Sequence, residues 1–355
     1  MKTHKDIAAK TRSRFFWSLL FVALTVLSVW AVTTQGKDFS PKKFRAYIEG
    51  SNPGWLTAAA LAMLCYIGFN AAMIRCLLRG FGYPRSFPNC VSYAAADLYF
   101  SAITPSATGG QPMEGLFMTR DGIPGVISTV VLLTYLFLHT VSIVIIGLLG
   151  LLLRPGAFLL FGTLGRVLIV LGLLSQSLLA EIYALLLWKE KLMLRICDWG
   201  LQLLVKWRIV RHLERRERRL HETMEQYAQM TELLKGKRKL LLKTLLWNLA
   251  HRASQILVTV CCFLAGGGSL SLAPTLFAMQ TNVVLGAQFI PIPGAIGVTD
   301  FLMLDGFSAL MPEQQATNLV LLARGTSFYI CVLLCGLIVL VKYAAFRFRS
   351  GDSAS

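Results

Sequence analysis

Apolar side chains gather in six stretches long enough to cross a membrane as helices, at roughly 15–34, 55–78, 126–153, 160–188, 244–265 and 314–341. Two more apolar runs are interrupted. Cys90 to Ile103 leads into Thr104-Pro105-Ser106-Ala107-Thr108-Gly109-Gly110-Gln111-Pro112, and Ala273 to Ile290 leads into Pro291-Ile292-Pro293-Gly294-Ala295-Ile296-Gly297. Proline lacks the amide that a helix interior needs and glycine weakens the helix, so both regions, 88–124 and 274–311, are predicted as broken helices. At membrane depth such a break survives only where protein or a wet cavity satisfies the freed backbone groups. The pattern changes at 189–243, a hydrophilic segment with 15 Lys or Arg. Within it Leu213, Leu220, Met224, Tyr227 and Leu234 recur at near-helical spacing, which predicts a surface helix or helical hairpin.

Charge then decides the topology. If 88–124 crosses once and the N-terminus is cytoplasmic, the basic 189–243 segment falls outside, against the positive-inside rule. If 88–124 enters and returns, Arg75, Arg79, Arg85, Arg120 and the 189–243 segment all lie inside. The stretch 266–313 has no Lys or Arg, as suits an outer element that enters from the opposite face. Lys342, Arg347 and Arg349 then end inside. Lys37, Lys42, Lys43 and Arg45, after the first span, are the exception. The expected fold is therefore all-α: a polytopic membrane helical bundle of about six full spans plus two re-entrant helical hairpins from opposite faces. In order it has a basic cytoplasmic tail at 1–14, a membrane half at 15–188, a basic cytoplasmic insert at 189–243, a second membrane half at 244–345, and a cytoplasmic tail at 346–355. Paired broken elements of this kind resemble the inverted repeats of secondary transporters.

Composition agrees. The chain is 55% apolar and 15% charged, against about 25% charged in soluble domains. Its 35 Lys plus Arg against 18 Asp plus Glu leave a net charge of +17. On so hydrophobic a chain that excess points to phospholipids with anionic head groups as partners. No basic run interleaves with stacking aromatics, so no nucleic-acid partner is expected. Whether the chain forms a homo-oligomer is left open. The eight cysteines sit mostly in apolar runs and read as small apolar filler, and no His or second Cys pair completes a zinc site around Cys331 and Cys335. No metal, cofactor or catalytic residue is expected.

Ionisable groups inside a bilayer cost about 2.5–3.5 kcal/mol each at a helix centre, so each needs a reason. Asp97, Glu114, Arg120 and Asp121 cluster near the first break, and Asp300 and Asp305 near the second. Arg324 lies about ten residues into the last span. One reading is a polar cavity between the two re-entrant elements, lined by Arg324 and carboxylates; the other is a set of structural ion pairs. His139 reads as a hydrogen-bonding group toward a neighbouring helix, and Arg252 as a side chain that snorkels to the interface.

The two broken motifs, followed by Arg324, resemble the lysylphosphatidylglycerol synthase transmembrane, or flippase-like, family. That module forms the membrane part of the bacterial multiple peptide resistance factor. Two departures stand out. Ala295 replaces one glycine of a usual pair, with Asp300 in place of the usual Glu. Gln111 stands where an acid often follows the first glycine pair, with Glu114 three residues later. The resemblance implies lipid handling: movement of a phospholipid, such as aminoacylated phosphatidylglycerol, or another anionic lipid-linked substrate between leaflets. The substrate-binding residues it implies are Arg324, Asp300, Glu114, Arg120, Gly109, Gly110, Gln111, Pro291, Pro293, Gly294 and Gly297. The alternatives are a phosphatidylglycerol lysyltransferase, for which a tRNA-binding domain is expected to be absent, and a non-catalytic membrane scaffold.

Overall fold

The computed structural model describes residues 41–104, 108–189, 236–290 and 297–351, with isolated positions among 195–234 and at Ala295. The predicted span 15–34, the basic tail at 1–14, most of the 189–243 insert, and Pro291, Pro293 and Gly294 lie outside the described residues.

Regular structure among the described residues is helical. A short helix α1 (Pro41–Glu49) precedes α2 (Pro53–Gly80). Asn52 caps α2: its Oδ1 accepts from the Gly54 and Trp55 amides at 2.9 and 3.4 Å, and Pro53 begins the helix without an amide to satisfy. Then come α3 (Phe87–Ile103), α4 (Gly110–Arg120), α5 (Gly125–Leu153), a single turn α6 (Pro155–Leu159) and α7 (Thr163–Trp188). After the basic insert follow α8 (Arg238–Ala265), α9 (Ala273–Ala287) and α10 (Val298–Phe307). The last helix runs as α11 (Glu313–Arg324), a π-helical turn (Gly325–Ile330) and α12 (Cys331–Gly351).

Among the described residues, four helices are long and apolar enough to span a membrane: Pro53–Gly80, Gly125–Leu153, Thr163–Trp188 and the continuous Glu313–Phe346. These match four of the six predicted spans. The predicted 244–265 span is part of α8, which starts earlier, at Arg238, and carries His251 and Arg252 in its middle. Part of its surface packs inside the bundle, while Leu242, Leu246 and Leu257 stay exposed. Val258 and Cys262 through Ala265 are buried, His251 stacks on Tyr66 of α2 at 4.0 Å between centroids, and Trp247 packs on Phe69.

Both interrupted regions are antiparallel hairpins. In the first, α3 and α4 come together so that Gly110 abuts Asp97 and Ser101. Their base is tied by Arg85, whose Nη2 donates to the Asp121 carbonyl at 2.8 Å, and by Tyr93, whose hydroxyl donates to Asp121 Oδ2 at 2.5 Å. In the second, Gly286 of α9 faces Leu302 of α10 and Gly306 faces Met279. Asp305 near its base accepts the Gly162 amide at 2.9 Å, fastening it to the start of α7. The last helix shows how the two are set. The base of the α3–α4 hairpin is held at its far end, where Lys342 bonds Asn89 and Asp121. The base of the α9–α10 hairpin leads directly into its beginning at Glu313. The hairpins thus enter from opposite ends of the bundle.

Candidate functional site

Described residues flanking the two breaks line a cavity of about 580 Å³, together with residues of α2, α5, α7, α8 and the last helix. Thr108 and Gln111 reach it from the first hairpin, and Gln288, Ile290 and Ala295 from the second. Asp97, Arg252 and Arg324 also line it, with Gln176, Gln255 and Gln280 adding uncharged polar groups.

Arg324 closes α11 at the point where the helix widens into the π turn. A π turn inserts an extra residue and re-aims the side chains beside it. Here Ser327, Phe328 and Cys331 face the cavity with Arg324. The guanidinium is buried, stacks over the Phe328 ring at 4.5 Å, and donates from Nε to Asp300 Oδ1 at 2.8 Å. Asp300 does a second job. Its Oδ2 accepts the Gly297 amide at 3.0 Å and so caps the start of α10. Gly297 has φ of 86°, a conformation open to glycine at little cost. Arg324 is not satisfied by this pairing: its Nη2 is buried without a hydrogen-bond partner.

Asp97 faces the same cavity from α3, and among the described residues no cation is bonded to it. It accepts from Tyr135 at 3.1 Å, Gln111 Nε2 at 3.1 Å and Ser101 at 3.3 Å, all neutral donors. The glycine pair explains how α4 comes this close. A Cβ on Gly110 would lie 2.7 Å from the Asp97 carbonyl, and one on Gly109 would lie 2.6 Å from Thr104 Cγ2. Glu114 sits on the same face of α4 as Gly110, one turn further from the tip. It is fully buried, both carboxylate oxygens lack a partner, and it does not line the cavity.

Arg252 is the residue that sequence reasoning missed. Instead of snorkelling, it is 6% exposed and lines the cavity wall. Its Nη1 donates to Gln255 Oε1 at 2.7 Å and its Nη2 bonds His139 Nε2. A guanidinium only donates, so His139 accepts through Nε2 and is neutral. Among the described residues Arg252 pairs with no carboxylate, and its Nε is buried without a partner. The signal was present in the spacing: Arg252, Gln255 and Thr259 form one polar stripe along an otherwise apolar helix face. His139 does bond a neighbouring helix, as expected, and that bond is what draws Arg252 inward.

The structure separates other expected site residues from the cavity. Arg120 is exposed at the base of the first hairpin and lies over Tyr343 and Phe346 at 5.8 and 5.7 Å. Asp121 pairs with Lys342 at 2.9 Å beside it. The site assembled from the expected residues is thus Arg324 with Asp300, Gly297 and Gln111, shaped by Gly109 and Gly110 and joined by the unexpected Arg252.

No curated protein matches the chain. The family model described as the lysylphosphatidylglycerol synthase TM region matches residues 15–335, nearly the whole length. This chain, a helical membrane protein linked to lipid metabolism, belongs to the lysylphosphatidylglycerol synthase transmembrane family.

Proposed function

We propose that this protein moves an anionic phospholipid, or another lipid-linked anionic molecule, between the leaflets of the cytoplasmic membrane. The observation that carries the reading is Arg252: a buried arginine without an acid, on a cavity where Arg324 also keeps a free N–H. A buried cation with no acid bonded to it is costly, and a bound phosphate supplies both countercharge and acceptors for these donors. The polar-lined cavity gives a head group a place within the bundle, while its chains stay in lipid. An apolar groove of about 860 Å³, between α5, α8 and α9 with Arg154 at its rim, offers a surface for those chains.

Aminoacylated phosphatidylglycerol is the species to test first. Its phosphate suits the two arginines and its amine suits Asp97, the cavity acid that lacks a cation. Both termini and the basic 189–243 segment face the cytoplasm in this reading, on the strength of the charge distribution. Single cysteines at positions 220 and 270, in a background without native cysteines, then label from opposite sides of intact cells.

The decisive experiment uses purified protein in vesicles with a fluorescent phosphatidylglycerol. Wild type equilibrates the probe between leaflets. Arg252→Gln, which keeps hydrogen-bonding capacity but removes the charge, abolishes movement while remaining folded. Arg252→Lys restores part of it, since lysine lacks the planar fork. Normal lipid movement by a folded Arg252→Gln protein sinks the proposal.

A further inference from the structure

A line of titratable groups runs along the seam between α3 and α4. It starts at the base, where Asp121 is held by Lys342 and accepts from the Tyr93 hydroxyl. It ends at the cavity, where Asp97 accepts from Gln111, Ser101 and Tyr135. Glu114 lies between. Gly110, which abuts Asp97, is four residues before Glu114 on α4, and helical geometry stacks the two on one face. Antiparallel packing therefore sets Glu114 one turn nearer the base than Asp97, along the Tyr93 side of the seam.

Glu114 is the anomaly. It is fully buried, and neither carboxylate oxygen has a hydrogen bond or an ion pair. An ionised carboxylate in that setting is too costly to keep, so the side chain carries a proton. Gln111 Oε1, on the adjoining turn and directly beside Asp97, is also buried without a partner, leaving an acceptor free along the line. Neither atom is used in the binding of a head group as proposed above.

We propose that this seam is a proton path with Glu114 as its proton-holding site, and that proton passage along it drives the lipid movement. The transfer is a simple exchange. Glu114 gives its proton to the Asp97 carboxylate and becomes a carboxylate itself; Asp97 then releases the proton into the cavity, and Glu114 is reprotonated from the Asp121 end. Charged and titratable groups face the seam from every surrounding element. From α2, Tyr66 lines the cavity with Asp97, and Arg75 and Arg79 lie near Cys90, which is beside Glu114. Arg85 precedes α3 and lies near Cys90 as well. Tyr135 of α5 bonds Asp97, Arg252 of α8 faces it across the cavity, and Cys331 and Cys335 of α12 lie behind. Lys342 guards the base.

The proton site is tested without transport, and the coupling half rests on the translocation reading. Infrared spectra of the purified full chain at neutral pH should contain a carboxylic-acid carbonyl band that disappears in the near-isosteric Glu114→Gln and shifts in Asp97→Asn. A wild-type spectrum with no band removed by Glu114→Gln overturns the site. In vesicles with fluorescent phosphatidylglycerol, an imposed pH gradient should accelerate wild-type movement severalfold. Glu114→Gln should keep the rate seen without a gradient and lose the acceleration. Full acceleration in Glu114→Gln, or an active wild type indifferent to the gradient, overturns the coupling. A wild type that moves no lipid under either condition overturns the translocation reading and the coupling with it, and the infrared result still decides the site.

Discussion

The two hairpins have one architecture and opposite electrostatics. Each breaks near the middle of the bundle, and each places one buried aspartate beside the break. In the α9–α10 hairpin, Asp300 is paired with Arg324 and also caps its own helix through Gly297. In the α3–α4 hairpin, among the described residues, Asp97 is held by neutral donors alone, and Glu114 one turn away has no hydrogen-bond partner. The lesson is that an intramembrane acid is not one kind of feature. A carboxylate with a cation and a backbone cap is a fastening whose loss is felt by the fold. A carboxylate among neutral donors can change its charge without dismantling anything, which is what a passage for ions or protons needs.

This contrast can be broken by mutation. The largest effect should come from Arg324→Ala, which leaves Asp300 buried without its cation. A loss of about 3–5 kcal/mol is expected in reversible unfolding, and adding Asp300→Asn should recover part of it. Recovery stays partial because Asp300 also caps α10. A stable Arg324→Ala protein would falsify the fastening role. Next is Gly110→Ala, whose added methyl meets the Asp97 backbone, an atom that cannot swing away. Overpacking of this sort costs about 1–3 kcal/mol, and the melting temperature should fall accordingly.

Asp97→Asn should cost less than about 1 kcal/mol, because the amide keeps an acceptor toward Gln111 and Ser101 and Tyr135 can turn to accept. A loss as large as that of Arg324→Ala would erase the contrast between the hairpins. The smallest effect is a gain. Ala295 holds φ of 50°, in the left-handed region that glycine adopts at no steric cost. Ala295→Gly relieves that strain but adds freedom to the unfolded chain, so the two effects largely offset and the net gain should be only about 0.5 kcal/mol, which a denaturant series would measure.

Much of this molecule was legible before any coordinates. Hydropathy marked the helices α2, α5, α7 and the last helix because lipid forces a long apolar run to be continuous. Proline and glycine marked both hairpin tips because neither can sit unnoticed in a helix interior. Charge counting placed the hairpin bases at opposite ends, as found. The glycine pair of the first tip and the Asp300–Arg324 pair also stood out, since small residues and intramembrane charges are rare enough to be noticed singly.

What only the tertiary structure decided is which polar residue meets which. Arg120 and Glu114 lie on one short helix near one break, yet one stacks on Tyr343 and Phe346 at the base and the other is sealed inside the seam. Nearness to a span end predicts that Arg252 snorkels, but His139 on another helix and Gln255 on its own turn it toward the cavity. The physical reason is range. Transfer to lipid acts on each residue by itself, so the chain alone determines where its helices and breaks fall. A hydrogen bond or ion pair reaches only a few ångströms, so its partner is settled by how helices far apart in sequence pack together.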